Sequence, residues 1–450
     1  MKVAVVGSGI SGLAACHVLR GQAQVTLFEA GDYFGGHTHT VDVTLPDAQG
    51  RPITHGVDTG FLVFNERTYP NLIALLQQLE VPSAKSDMSF SVQVPDGLGA
   101  GRPLEWSGSN LDTVFTQRGN LLRPRFLRML ADLLRFNRET TRIAEAGTEG
   151  QRLQPLGDFL ADGGYSREFR EWYLLPMLGC IWSCPTQQML QFPVSTLIRF
   201  CHNHGLIQVA NRPQWWTVAG GARQYVERIV MGVDDARLST PVRAIVRGEG
   251  GVQLRTDAGW ERFDHLVLAT HSDQALVLLS DASPAERALL GDIGYQPNRA
   301  VLHTDARVLP THRKAWAAWN YERGDGGPEE ARVCLHYLLN LLQPLPWRQP
   351  VVVSLNPVRE IDPATVIGTY EYDHPVFDLA ALRAQSELPT IQGQRATWFA
   401  GAWMGYGFHE DGLKAGLAAA RALLADAGRG PVDQTAPPGG AKELAPWTGH

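Results

Sequence analysis

The chain has 450 residues, a formal net charge of −6, 44% hydrophobic residues and 19% charged residues. These values describe a globular protein, too long for one simple core and divided most simply into two intertwined domains. They exclude a generally basic nucleic-acid binder, and no apolar run approaches the ~18 residues of a membrane-spanning helix.

The run Lys2-Val3-Ala4-Val5-Val6 reads as a short buried strand and leads straight into Gly7-Ser8-Gly9-Ile10-Ser11-Gly12. A helical stretch, Leu13 to Leu19, follows, and then a second strand, Gln24 to Phe28, ending on Glu29. Between a strand and a helix, this glycine spacing is a dinucleotide fingerprint. Gly7 permits the tight turn, Gly9 lets a pyrophosphate approach the backbone, and Gly12 allows close packing of helix on strand. The helix N-terminus faces the phosphates, and Glu29 accepts hydrogen bonds from a ribose. With the first strand starting at residue 2, there is no room for a secretory signal, so the cytoplasm is expected. The five cysteines (Cys16, Cys180, Cys184, Cys201, Cys334) are then expected as reduced thiols. Cys180 and Cys184 lack the spacing and the second pair of a metal site, so no metal is expected.

Five residues beyond Glu29 comes the pair Gly35-Gly36, in Gly35-Gly36-His37-Thr38-His39-Thr40, and then Val57-Asp58-Thr59-Gly60-Phe61. On these motifs, and on a C-terminal block from Phe399-Ala400-Gly401 to Gly412, the chain resembles the flavoprotein superfamily of amine oxidases and phytoene-type desaturases. An ordinary glycine turn in an NAD-binding fold is the competing account of the pair. The resemblance covers residues 1–425 and implies an α/β fold of the amine-oxidase type. In it a Rossmann-like FAD-binding domain carries an inserted α+β substrate-binding domain. FAD is the implied cofactor. The FAD domain is expected from 1–82, 217–271 and 395–427, and the substrate domain from 83–216 and 272–394. The Gly- and Pro-rich residues 428–450 are expected to form a mobile tail. No second glycine fingerprint is present, so a built-in NADPH domain is not expected.

Along the chain, a helix is predicted near Tyr69–Leu79 and a strand over Met88–Val94, before a long helical region rich in Arg, Leu and Phe. Strands are predicted at Val242–Val246 and His265–Thr270. Others follow at Ala300–Thr304, Arg332–Asn340 and Pro350–Leu355, and the last helix covers Leu413–Leu424.

The resemblance implies FAD contacts from Gly7, Ser8, Gly9, Ser11, Gly12, Glu29, Ala30, Gly35, Gly36 and His37. Further along, it implies contacts from Thr59, Gly60, Phe61, Val242, Thr270, Gly401, Ala402, Asp411, Gly412 and Leu413. His37 stands where many relatives carry an arginine. Arg299 falls near the position of an amine-oxidase lysine that holds a water at the flavin, and an arginine there counts against ordinary amine oxidation. Phe408 lies near the usual tyrosine of an aromatic pair, so Phe408, Trp403 and Trp182 form an apolar substrate wall beside Tyr406. Core packing is the alternative account of those rings. His409 is the candidate general base, because imidazole titrates near neutrality; a structural histidine is the alternative. The catalytic set is thus His409, Arg299 and Tyr406.

Seven arginines (118, 123, 125, 128, 135, 138, 142) stand against Asp132 and Glu139, interleaved with Phe126, Leu127, Leu130, Leu133, Leu134 and Phe136. This basic amphipathic segment is suited to anionic lipid headgroups, or else is an ordinary solvated helix face; no nucleic-acid motif accompanies it. The stretches 58–71, 181–185 and 406–412 resemble a bacterial subgroup of NAD/FAD-binding oxidoreductases associated with cyclopropane-type fatty-acid methyltransferases. That resemblance implies hydride transfer between flavin N5 and a lipid acyl chain, desaturating or saturating it, with a methyltransferase as partner. A peroxide-producing amine oxidase and a non-catalytic flavoprotein partner of the methyltransferase are the alternatives.

Overall fold

The computed structural model describes residues 1–146, 154–182, 189–194, 197–198, 201, 213–324 and 333–428. Cys184, the side chain of Trp182 and all but the first residue of the 428–450 tail lie outside the described residues. The four described cysteines are buried free thiols.

Five short parallel strands make the central sheet, in the order Asp235–Arg237, Gln24–Phe28, Lys2–Val6, His265–Leu268, Thr397–Phe399. Val3, Val5, Leu27, Val267 and Phe399 are almost wholly buried, as expected where both faces of a parallel sheet are covered. One face is covered by the helix Ile10–Leu19, which in turn packs on the last helix, His409–Asp426. Small residues make that approach possible. A Cβ on Gly416 would run into the Ser11 carbonyl and the Ala14 methyl, and one on Gly412 into Ile10 and Ser11. The last helix therefore begins at His409, four residues before the predicted start, because its first turn caps itself: the Asp411 carboxylate accepts the backbone N–H groups of Tyr406 and Phe408 at 3.1 Å.

The other face is covered by an antiparallel meander, Ala244–Gly248, Gly251–Thr256 and Gly259–Phe263. Its Ile245, Val252, Leu254 and Phe263 bury against Phe28, Phe399 and Trp403. The meander starts two residues later than the sequence predicted, and Val242 lies in the connection before it. Arg247 pins this layer. Its side chain is fully buried and pairs with Asp281 (2.9 Å), in a turn between two helices, and with Glu286 (2.5 Å), in the helix that follows.

A second, seven-stranded sheet draws its strands from two separate stretches of chain. Its order is Val366–Pro375, Tyr295–His303, Val352–Leu355, Val333–Leu338, Trp319–Arg323, Phe90–Val94, Leu104–Ser107. All neighbours are antiparallel except Trp319–Arg323 with Phe90–Val94. Asp58 ties three separate segments of the chain together. Its buried carboxylate accepts from the Thr40 hydroxyl, the Ala222 N–H and the Gln343 amide, and desolvation raises its pKa to about 6.

Replacing Gly416 with valine is expected to force the first and last helices apart at a cost of about 3 kcal/mol. Thermal unfolding of the variant checks this, and a melting temperature equal to that of the parent would mean the two helices have room to spare.

Candidate functional site

The glycine loop opens onto a cavity of about 700 Å³ at the carboxyl ends of the central strands, where open α/β sheets bind their ligands. Gly7, at φ +98°, makes a turn no side chain tolerates, since a Cβ would also press on the Ala269 carbonyl at 2.7 Å. Gly12 lets the helix close on the Gly7 carbonyl, whereas a Cβ on Gly9 would point into open space. Gly36 approaches so closely that its Cβ would stand 3.2 Å from the Gly9 α-carbon. The two glycine motifs, separate in sequence, thus form one side-chain-free cradle. Glu29 sits at its edge, accepting from the Ser8 N–H (3.0 Å), the Ser8 hydroxyl (2.5 Å) and the Gly31 N–H (2.8 Å).

Imidazoles dominate one wall. His37 lies against Tyr372 and His374, with ring centroids 5.0 and 5.6 Å away, and His271 stacks on Tyr295 at 4.4 Å. Desolvation first, and then mutual repulsion, pushes His37 down to about 3 and His374 down to about 4. Both are therefore neutral. The Nε2 of His37 is buried with no hydrogen-bond partner in the protein, an arrangement that a bound cofactor's oxygen would relieve.

The triplet His409-Glu410-Asp411 is absorbed by architecture. His409 stacks on Phe61 with centroids 3.8 Å apart, and its Nε2 is hydrogen-bonded at 2.6 Å to Tyr225, whose hydroxyl also meets Thr38. Burial pushes its pKa down to about 3. An imidazole so reluctant to take a proton, with that nitrogen engaged, is not the general base expected from sequence. Glu410 accepts from Asn71 N–H (3.0 Å), Asn71 side-chain amide (2.6 Å) and Leu72 N–H (3.0 Å), capping the helix Pro70–Gln78.

Most of the sequence-expected residues converge on the cavity. Gly7, Ser8, Gly9, Ser11, Glu29, Ala30, Gly35, Gly36, His37, Gly60, Phe61, Val242, Thr270, Gly401 and Ala402 line it, with Trp403, Tyr406, Phe408 and His409. Six do not. Gly12, Gly412 and Leu413 are spent on helix packing, Asp411 on its own turn, and Thr59 on the Tyr372 hydroxyl at 2.7 Å. Arg299 is the larger correction. It is exposed, its backbone tied to Asn356, and Tyr295 at the start of the same strand is what reaches the cavity. Trp403 is 2% exposed, and its indole N–H donates to the Thr270 carbonyl at 3.0 Å, so it braces the wall from behind.

Sequence reasoning missed His271, His374, Tyr295, Trp319 and Tyr337, all of which line the cavity. The alternation Tyr370, Tyr372, His374 along one strand was the available signal, because period two puts the three on one face.

The neutral imidazoles set a pH dependence of stability. Their folded pKa values lie below the unfolded 6.5, so the unfolded chain binds protons that the folded one refuses as pH falls below 6.5. His37, His374 and His409 each then withdraw about 1 kcal/mol at pH 5, allowing for water in the cavity. Asp58, raised to about 6, opposes them with about 1 kcal/mol and is outweighed. The melting temperature of the flavin-free protein is expected to fall from pH 7 to pH 5, and less steeply in His374→Asn; a flat profile would contradict the neutral cluster.

Comparison with known proteins follows the same lines. The family model described as flavin containing amine oxidoreductase matches residues 10–337. No curated protein matches the chain by sequence. Among solved structures, a fatty acid isomerase from P. acnes superposes with a TM-score of 0.63 at 16% identity, covering 94% of this chain and 98% of that one. Cyclohexylamine oxidase from Brevibacterium oxydans gives 0.61 at 19% identity, covering 95% and 99%. Putrescine oxidase bound to putrescine gives 0.65 at 16% identity, covering 94% and 99%. The cofactor of the family is FAD, and the glycine cradle, Glu29 and the unpartnered Nε2 of His37 fit it. The chain belongs to the flavin-containing amine oxidoreductase family, and it is an FAD-dependent oxidoreductase.

Proposed function

We propose that the enzyme moves a hydride between FAD and a lipid acyl chain, desaturating or saturating a methyl-branched or unsaturated acyl group. The observation that carries this is the wall supplied by the second sheet and its helices. Met88, Ile181, Trp319, Tyr337 and Phe377 line it together with Tyr406 and Phe408, and no lysine or arginine is among the described lining residues. Each methylene brought out of water into such a wall gains about 0.8 kcal/mol. A cationic amine would instead lose its hydration and need a carboxylate to replace it.

FAD, when bound, supplies the two-electron acceptor or donor. The chain's own residues hold the acyl segment, exclude water and orient it. The indole Nε1 of Trp319 is buried without a hydrogen-bond partner in the protein, which suits it to donate to the carbonyl oxygen of an acyl ester or acid. A solved neighbour that is a fatty acid isomerase is compatible with this reading, as is the resemblance of residues 58–71 and 406–412 to the methyltransferase-associated subgroup. A methyltransferase would then act before or beside this enzyme on the same acyl chain.

Amine oxidation with release of peroxide is the second reading, favoured by one residue. Asp373 lines the cavity and is the acid a cationic substrate would need. The expected outcome under anaerobic conditions is loss of the flavin's visible absorbance with a saturated acyl lipid, or its return from the reduced state with an unsaturated one. Amines should leave it unchanged. Bleaching by an amine, with peroxide formed in air, would select the second reading. A flavin indifferent to both would leave a non-catalytic partner role. Replacing Trp319 with phenylalanine should weaken acyl-lipid binding about tenfold with little change in the rate at saturation; an unchanged affinity would remove Trp319 from the account.

A further inference from the structure

The helix Pro124–Ala146 has two unlike sides. Inward, Phe126, Met129, Phe136 and Ile143 are buried, with Phe126 edge-on to Trp106 and Phe136 against Tyr165 and Phe169. Outward, the helix and the turn before it expose leucines: Leu122 is 87% exposed, Leu134 61%, Leu121 48% and Leu127 42%. Burying such side chains elsewhere in the chain is routine, so four of them within fourteen positions call for a partner.

The charges on the same face are of one sign. Arg128, Arg138 and Arg142 are exposed and make no ion pair with a described residue. The acids nearby are already engaged. Asp132 is buried and accepts from the Ser166 N–H and Arg135, Glu139 accepts from the Tyr165 hydroxyl, and Glu168 holds Arg125. No exposed acid therefore interrupts the outward face between Arg118 and Ile143 among the described residues.

We infer that this face docks on an anionic membrane surface, its leucines entering the headgroup boundary and its arginines meeting lipid phosphates. Interleaved leucine and arginine suit that boundary, which offers apolar and anionic partners at one depth. A nucleic acid would leave the leucines unpaired, and a second copy of the chain in a symmetric pair would set arginine against arginine. The helix leans on the segment Arg167–Trp182, whose Cys180 and Ile181 line the cavity. That an acyl substrate enters the cavity from the same membrane rests on the acyl-lipid reading; the docking itself does not.

Sedimentation of the FAD-loaded protein with vesicles is the test. Vesicles of equal parts phosphatidylglycerol and phosphatidylcholine are expected to carry it down at low salt and release it at high salt, whereas phosphatidylcholine alone binds it at least tenfold less. Each arginine contributes about a fivefold factor, so Arg128→Glu, Arg138→Glu and Arg142→Glu together should lower partitioning by about 100-fold or more. Leu122→Gln with Leu134→Gln should lower it about tenfold at unchanged charge. FAD content and melting temperature equal to the parent's show that each variant is folded. A parent protein that stays in solution with the anionic vesicles, or an arginine variant that sediments like the parent, would overturn the inference. So would vesicle indifference combined with arginine-dependent RNA binding or self-association. Binding without any effect of acyl lipid on the flavin would keep the docking face and remove the acyl reading. Flavin reduction by detergent-dispersed lipid without vesicle binding would do the reverse.

Discussion

The architecture depends on how closely the first and last helices of the chain can approach. Ser11 and Ala14 on one side, with Gly412 and Gly416 on the other, leave no room for a further carbon. Because they meet, the N-terminal end of His409–Asp426 arrives beside the glycine loop, and residues from both ends of the chain line one cavity. The same first turn then locks its neighbours. Glu410 caps Pro70–Gln78, His409 lies flat on Phe61, and Asp411 satisfies the backbone of the turn that presents Tyr406 and Phe408. Three polar residues that look like a reactive cluster in sequence are hydrogen-bonding devices in the fold.

That use of polar groups recurs. Asp58 holds three segments together from a buried position, and Arg247 does so for the meander. On the second sheet, Glu322 accepts from Arg359 and from His336, whose other ring nitrogen meets Ser354, which in turn meets His303. Each is a network whose members satisfy one another, so their cost of burial is met locally. The cavity is handled differently, because its imidazoles are neutral and two of its polar atoms, on His37 and Trp319, have no hydrogen-bond partner in the protein.

Much of this was legible in sequence where the determinants are local. A run of apolar residues, a glycine spacing and an acid at a strand end are read within about thirty residues, and Lys2–Val6, Gly7 and Glu29 stand as that pattern implies. The meeting of Gly35-Gly36 with Gly9 was legible only through resemblance, since nothing local dictates it. Arg299 was misplaced because position along a family pattern does not say which face of a strand a residue occupies. His374 and Tyr295 were missed for a related reason. They become neighbours of His37 and His271 only when the second sheet pairs and folds over the first.

A dinucleotide brings two phosphates, yet no lysine or arginine is among the described lining residues. The cradle must therefore meet those phosphates with backbone N–H groups and the N-terminus of Ile10–Leu19, which are dipoles with no counter-charge of their own. A phosphate beside His37 would also pull a proton onto that ring, against the desolvation that holds it neutral without a ligand. Arg128, Arg138 and Arg142 stand instead exposed on the helix Pro124–Ala146, outside the lining of the cavity. Under the proposed function, a cavity wall without cations would suit a hydrocarbon, and arginines set beside exposed leucines would give the same protein a face for the lipid surface that holds it.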